Sequence, residues 1–439
     1  MDHRDIFRTN LTLMPKTNAQ RVFKNFGVVL RGRGIAAVFN MFALALMANT
    51  LPPAKFGLVV LLHTYVLAIR GLLNFRTFEA VVKYGVPLHA SKDHDRFRKL
   101  LRITSSVDVA SAIVATLLGV GAASLTGSFL HWDEQMVFIA ALYSLTMLST
   151  ATGTPNGILR VYDRFDILGA WYTISPAIRF FGVLIAWFFD AKMLVFVGIW
   201  ATAFIFENIW IFLRGHREIH RHTSESIWRG FRFRELRETT PDFRHFLGVI
   251  YWQTNVDMLP KHLAVLIAGN LLGSAGAGMF RLANDFSTVL SKPGLMLREV
   301  LFPDLSRMLH NKEAGFHQLG IRAVQIAGAV GLLLVVLSIF LGAPILGLIG
   351  EDYTPAAPLL TLMLLAASFE LAGSPLRAAA YAWGDAGKVL RIYALSSIIY
   401  LGLFYVFTQP LGLVGPGIAA SIAGALTLVR LLLLVRKYR

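Results

Sequence analysis

The 439-residue chain contains no cysteine. Without thiols it has no disulfide framework, no cysteine nucleophile and no thiolate metal centre. Charge is scarce as well: 15% of residues are Asp, Glu, Lys or Arg, against about 25% in an ordinary soluble chain. That composition excludes a soluble globular protein. The alternating segments of a transmembrane β-barrel are also missing, since stretches such as Gly328 to Leu341 and Leu359 to Ala367 are apolar on every side. Walker, His-Glu-Xaa-Xaa-His and Gly-Xaa-Ser-Xaa-Gly motifs are absent, and no loop has room for an ATPase domain. His216, His220 and His222 sit in a basic segment that repels cations, so no metal site is expected and the chain does not read as an enzyme. Its first 27 residues carry no apolar h-region ahead of a cleavage site, so the first span is expected to be an uncleaved anchor.

What is present is hydrocarbon. Hydrophobic residues make up 55% of the chain, arranged in runs near the ~20 residues that cross a bilayer as helix. The fold class is therefore an all-α polytopic membrane protein. Windows of about 19 residues place about twelve spans, near 28–48, 56–80, 102–124, 135–154, 165–188, 192–213, 246–269, 274–300, 317–342, 355–381, 388–408 and 412–435. A formal charge of +16 would point to nucleic acid in a soluble protein, but here the excess lies in alternate loops. Arg4 to Arg33 precede or open the first span, Lys92 to Arg102 follow the second, Arg160 and Arg164 the fourth, and Arg436 to Arg439 end the chain. The positive-inside rule then puts both termini in the cytoplasm of a multi-pass inner-membrane protein, with no nucleic-acid partner.

The segment Asn49 to Gly57 can be laid on Asn270 to Gly278 at a shift of about 221 residues, and Gly153-Thr154-Pro155 on Gly373-Ser374-Pro375 at nearly the same shift. An even number of spans per repeat gives both halves one orientation, so two six-helix lobes are expected, related by a pseudo-two-fold along the membrane normal. The divisions are a cytoplasmic N-terminal segment 1–27, an N-lobe 28–213, a basic cytoplasmic linker 214–245 facing anionic lipid, and a C-lobe 246–439.

Charges inside spans cost about 2.5–3.5 kcal/mol each on insertion scales and therefore face a bundle interior or a wet cavity. In span 8, Arg281, Asp285, Thr288, Lys292 and Glu299 form one polar stripe; Pro293-Gly294 is expected to interrupt that helix. Span 7 offers Gln253, Asp257 and Lys261 at i, i+4 spacing, with Pro260 expected to break it. Span 2 carries Arg70, Arg76, Glu79 and Lys83, and span 5 carries Arg179 far from either end. Arg179, Arg281, Lys292, Arg70 and Arg76 are the expected wall of a cationic cavity. Arg presents a planar fork of donors matched to phosphate oxygens. Asp257, Asp285 and Glu79 are candidates for proton or Na⁺ coupling or, with Lys261, for charge balance. An Arg281–Asp285 pair that only locks helices together is the alternative reading of that stripe.

Several motifs carry a resemblance: Leu51-Pro-Pro-Ala-Lys-Phe-Gly57, Arg160-Val-Tyr-Asp-Arg-Phe165, Asn255-Val-Asp257, Leu272 to Ala283, Phe302-Pro-Asp-Leu-Ser306 and Gly350 to Leu360. In order and spacing the chain resembles the polysaccharide transporter branch of the multidrug/oligosaccharidyl-lipid/polysaccharide (MOP) flippase superfamily, which includes O-antigen flippases. The resemblance implies a MATE-like pair of lobes around a cationic lumen. It also implies alternating access that moves a polyprenyl-diphosphate-linked oligosaccharide from inner to outer leaflet for surface polysaccharide synthesis. Membrane lipids and other polysaccharide-assembly proteins are the further expected partners, and no cofactor is expected beyond an ion gradient or the membrane potential. About twelve spans, rather than the fourteen of peptidoglycan-precursor flippases, disfavour that substrate. The alternatives are a cation-coupled exporter of small drugs on the same scaffold and a non-transporting scaffold for polysaccharide assembly. The topology is checked by fusing reporters after Arg439: green fluorescent protein is expected to fluoresce there and alkaline phosphatase to be inactive, and the reverse pattern would invert the orientation.

Overall fold

The computed structural model describes the backbone of residues 16–222, 241–310 and 316–436, and side chains at 25, 27–222, 242–256, 258–288, 321–381 and 383–436. Among the described residues all regular structure is helical. In the first half these are α1 (Lys16–Thr50), α2 (Pro53–Leu72), α3 (Thr77–Ala90), α4 (His94–Gly121), α5 (Ala123–Leu130), α6 (Glu134–Ser144), α7 (Gly153–Val161), α8 (Phe165–Phe188) and α9 (Met193–His222). The second half has α10 (Pro241–His310), α11 (Phe316–Ile349), α12 (Ala357–Ala382), α13 (Ala386–Leu411) and α14 (Gly415–Arg436). Among the described residues ten apolar segments are long enough to cross a membrane, and two of them, Asp242–Thr288 and Ala386–Arg436, are long enough for two crossings each. That makes about twelve crossings, as hydropathy indicates.

Local chemistry sets the helix ends. Pro53 opens α2 at a position where its missing N–H costs nothing. Asp93 and Asp133 cap α4 and α6 by accepting from the Arg96 and Met136 amides at 3.1 and 2.7 Å.

Three expectations need correction. The second span is not continuous to residue 80: helix stops at Leu72 and restarts at Thr77 through Arg76 in the left-handed region (φ 46°). There the Asn74 side chain satisfies the Arg76 amide at 3.1 Å. The fourth span is likewise divided by a 3₁₀ turn, Leu145–Thr150. Conversely, Pro260 and Pro293-Gly294 leave the helix backbone unbroken, because proline in a membrane helix is tolerated where neighbouring groups satisfy the freed carbonyl. The interruption of α10 falls at Gly273 instead, whose φ of 71° and ψ of −179° no β-carbon residue adopts readily. Residues 214–222 continue α9 and 241–245 begin α10, at the two ends of the expected linker; 223–240 and 1–15 lie outside the described residues.

The joint between the halves is built on α2, which lies along α10. Gly57 and Gly278, the two glycines that the 221-residue shift superimposes, pack directly on one another. A β-carbon on Gly278 would stand 3.1 Å from the Gly57 Cα and 2.8 Å from the Phe56 ring, and one on Gly57 would overlap the Ser274 carbonyl. The flanking asparagines of the same two segments each reach across: Asn49 donates to the Ile349 carbonyl at 2.8 Å and Asn270 to the Phe129 carbonyl at 2.5 Å. Tyr353 adds a hydrogen bond to the Leu51 carbonyl at 3.3 Å and an edge-to-face contact with Phe56. The largest core cluster gathers here and draws on both halves, including Met47, Phe56, Phe280, Leu346 and Tyr353. At the far end of α2, Tyr251 stacks on Phe75 at 5.0 Å and donates to the Leu72 carbonyl at 2.9 Å.

One end of the joint is thus latched by two asparagine side chains, each worth about 0.5–1.5 kcal/mol. Because the chain has no cysteine, a single Ala356→Cys, at a fully buried position in this end, reports its opening without background. Asn49→Ala together with Asn270→Ala is expected to raise the labelling rate of that cysteine by an impermeant maleimide at least about fivefold, from the loss of two such bonds.

Candidate functional site

Between the halves lies a cavity of about 230 Å³. The middle of α1 supplies Asn40, Met41 and Leu44, α2 supplies Val60, His63 and Thr64, and α8 and α9 supply Arg179 and Trp200. Arg281, Asp285, Phe286 and Thr288 come from α10. Arg179 belongs to the first half and Arg281 to the second, and both face this space.

The two guanidinium groups are held differently. Arg281 Nε donates to Asp285 one turn on, at 2.9 Å, so its charge already has a counter-ion. Arg179 Nη2 is 3.3 Å from His63 Nε2, and its guanidinium carbon lies 5.3 Å from the Trp200 ring centre. Its buried Nε has no hydrogen-bond partner. Among the described residues no carboxylate is within ion-pair distance of Arg179; Glu207 acts on it from farther away. A guanidinium stabilised by an imidazole and an indole face keeps its charge for something else.

His63 is 8% exposed and fixed from several sides. Its Nδ1 is 2.9 Å from the Tyr143 hydroxyl, and its ring meets those of Tyr143 and Phe204 edge to face. Behind this wall, Asp108 from α4 accepts from the Thr77 hydroxyl at 2.5 Å, the Thr154 amide at 2.6 Å and the Thr154 hydroxyl at 2.7 Å. It therefore closes the starts of α3 and α7, the two helices that resume after the breaks in spans 2 and 4.

Of the expected site residues, Arg179, Arg281 and Asp285 come together on the cavity wall. Arg70 does not line it. It lies two turns farther along α2, where Glu207 and Asp108 are its electrostatic neighbours. Arg76 and Glu79 form a local ion pair at 2.7 Å at the start of α3, away from the cavity. The i, i+3 spacing that put them on one face brought them to each other. Lys261 is exposed, away from the lining. Asp257 and Lys292 lie outside the described residues. His63, Trp200, Asp108 and Glu207 were not anticipated. The carboxylates of Asp108 and Glu207 stand in apolar runs and obey the same rule that selected Arg179; His63 and Trp200 carry no such signal.

The architecture can now be set beside known proteins. No family model matches the chain. It is 27% identical over 331 residues to the inner membrane protein YghQ of Escherichia coli (strain K12), covering 74% of this chain and 92% of that one. The inward-facing structure of a multidrug resistance MATE family transporter of the MOP superfamily superimposes with a TM-score of 0.70 at 13% identity, covering 94% of this chain and all of the other. The inward closed structure of the lipid II flippase MurJ gives 0.71 at 17% identity, covering 91% and 86%. The fold is MATE-like. At these identities the likeness establishes the MATE-like fold of a multi-pass membrane protein and nothing finer.

The Asp108 node has a direct consequence. Asp108→Asn removes one acceptor oxygen from three donors, and each buried donor left unpaired costs about 1–3 kcal/mol. A lower melting temperature in detergent is expected, whereas a change at an exposed site such as Lys261→Ala leaves it unaltered; equal melting of the two variants would remove the structural role assigned to Asp108.

Proposed function

We propose that the protein is a flippase that moves a polyprenyl-diphosphate-linked oligosaccharide from the cytoplasmic to the outer leaflet by alternating access of its two lobes. One observation carries the reading: Arg179 and Arg281, one from each half, face a single cavity, and among the described residues Arg179 has no carboxylate at ion-pair distance. A diphosphate supplies the missing charge and several acceptors for the two forks. About 230 Å³ suits a diphosphate and is smaller than the ~300–1,000 Å³ of sites that enclose whole drug-sized ligands. The sugars and the prenyl chain then lie outside the cavity, in solvent and lipid.

With the N-terminus cytoplasmic, α1 ends at the outer face, so the asparagine latch closes the outer end and the cavity serves the cytoplasmic side. Rocking about the Gly57–Gly278 contact would break the latch and turn the cavity outward. Moving a negative charge out of a negative-inside cell gains about 2.3 kcal/mol per 100 mV, which favours export. Asp285 is then a counter-ion that Arg281 exchanges for phosphate oxygen, and Glu79, paired with Arg76, balances charge.

A second reading, export of small molecules, draws on the MATE likeness. It is less favoured by the wall itself: Asp285 is the one carboxylate among the described lining residues, and Arg281 occupies it.

The test is reconstitution in liposomes with a labelled polyprenyl-diphosphate oligosaccharide, scoring label that becomes accessible to an impermeant reagent. Protein-dependent exposure is expected, lowered at least about tenfold by Arg179→Ala, in line with the ~1.5–3 kcal/mol of a charge-assisted hydrogen bond. Exposure unaffected by both Arg179→Ala and Arg281→Ala would defeat the cationic-cavity account. No exposure with several glycans under an imposed potential would leave the small-molecule or scaffold reading in its place.

A further inference from the structure

The contact between Arg179 and His63 has a direction. A guanidinium only donates, so where Arg179 Nη2 meets His63 Nε2 at 3.3 Å the imidazole nitrogen must accept. The ring proton is therefore on Nδ1, which at 2.9 Å donates to the Tyr143 hydroxyl oxygen. Hydrogen bonds run one way, from Arg179 to His63 to Tyr143, and that order exists only while His63 is neutral. A proton arriving at Nε2 from solvent in the cavity, which His63 lines, converts the acceptor into a second donor facing the guanidinium.

The surroundings amplify this. Among the described residues, the charged and titratable groups around His63 are Arg179 from α8, Arg281 and His262 from α10 and the Tyr143 hydroxyl from α6 at Nδ1, with Asp285 of α10 on the same cavity wall as the partner of Arg281. Phe204 of α9 presents only its ring. The cations among these oppose an imidazolium. An anion seated between Arg179 and Arg281 reverses the balance, since it neutralises both and offers an acceptor to each N–H that the new proton displaces.

We propose that His63 is the positioning residue of the anion site and its proton acceptor: neutral, it holds Arg179 against the wall, and on anion binding it takes up a proton and releases Arg179 to the ligand. The inference rests on the anion-binding reading of the cavity. It assigns proton coupling to an imidazole on α2 instead of to the carboxylates of α10 and α3. One proton is carried with each anion, so part of the negative charge crossing the membrane is cancelled.

Two measurements separate the inference from the reading it rests on. The first needs no ligand: ¹⁵N NMR of histidine-labelled protein in nanodiscs at pH 7.5, with the His63 signal assigned by its loss in His63→Gln. A neutral Nδ1–H tautomer is expected; an Nε2–H tautomer or an imidazolium overturns the proposal. The second titrates geranylgeranyl diphosphate calorimetrically in buffers of different ionisation enthalpy between pH 6 and 8. If the wild-type protein does not bind this probe at any pH, the anion-site reading fails. If it binds, net proton uptake is expected beyond that of His63→Gln, whose side-chain oxygen accepts from Arg179 but does not titrate; the comparison cancels the probe's own ionisation. The affinity ratio of the two proteins should grow toward acid by up to about tenfold per pH unit. Equal proton uptake by wild type and His63→Gln overturns the coupling role.

Discussion

Hydrocarbon cannot solvate a charge, and the charged groups around the cavity of this bundle answer to that constraint. Asp108 is surrounded by three donors and Arg281 is paired with its own Asp285. These arrangements are closed: each charge is compensated by protein. Arg179 stands apart because its compensation is an imidazole and an indole face, which soften a cation's field without cancelling it. The cavity is where, among the described residues, a guanidinium has no carboxylate at ion-pair distance, and the proposed function has an anion complete it. The same constraint accounts for the broken helices. Interrupted backbone at membrane depth persists only where something else satisfies it, and Asp108 and Asn74 do so for the breaks near α7 and α3.

Part of the contact between the two halves is made by main chain. Backbone lies on backbone at Gly57 and Gly278, and two asparagines bond to main-chain carbonyls rather than to side chains. Main-chain acceptors are carried rigidly by their helices, so these bonds are made or lost with the position of a whole half.

Hydropathy made the helices legible, because about 20 apolar residues have few other uses, and loop charge made their order legible. Arg179, Arg281 and Asp285 were readable because a charge in an apolar run demands a reason. The breaks were not: residues 73–76 and 145–152 interrupt runs that look continuous, and what stabilises them comes from Asp108 on another helix or from a local turn. Pro260 and Pro293, by contrast, advertise breaks that the backbone does not make. His63 was invisible for a different reason. In an apolar stretch it passes for one more ring, and its meaning lies in partners 80 and 116 residues away, Tyr143 and Arg179. Arg76 and Glu79 were readable as charges, yet their spacing served each other and not the cavity.

The position of α2 also bears on how the protein is made. This helix is among the first to leave the ribosome, yet the surface it presents to α10 is covered only after more than two hundred further residues have followed. Until then Gly57 faces no Gly278, Phe56 no Tyr353, and the Leu72 carbonyl no Tyr251. The first half is consequently an unfinished object during synthesis, with an imidazole and two guanidinium groups held beside an open flank. Its maturation depends on custody by the insertion machinery until α10 arrives, and a chain truncated in the linker is a substrate for quality control, not a small stable domain.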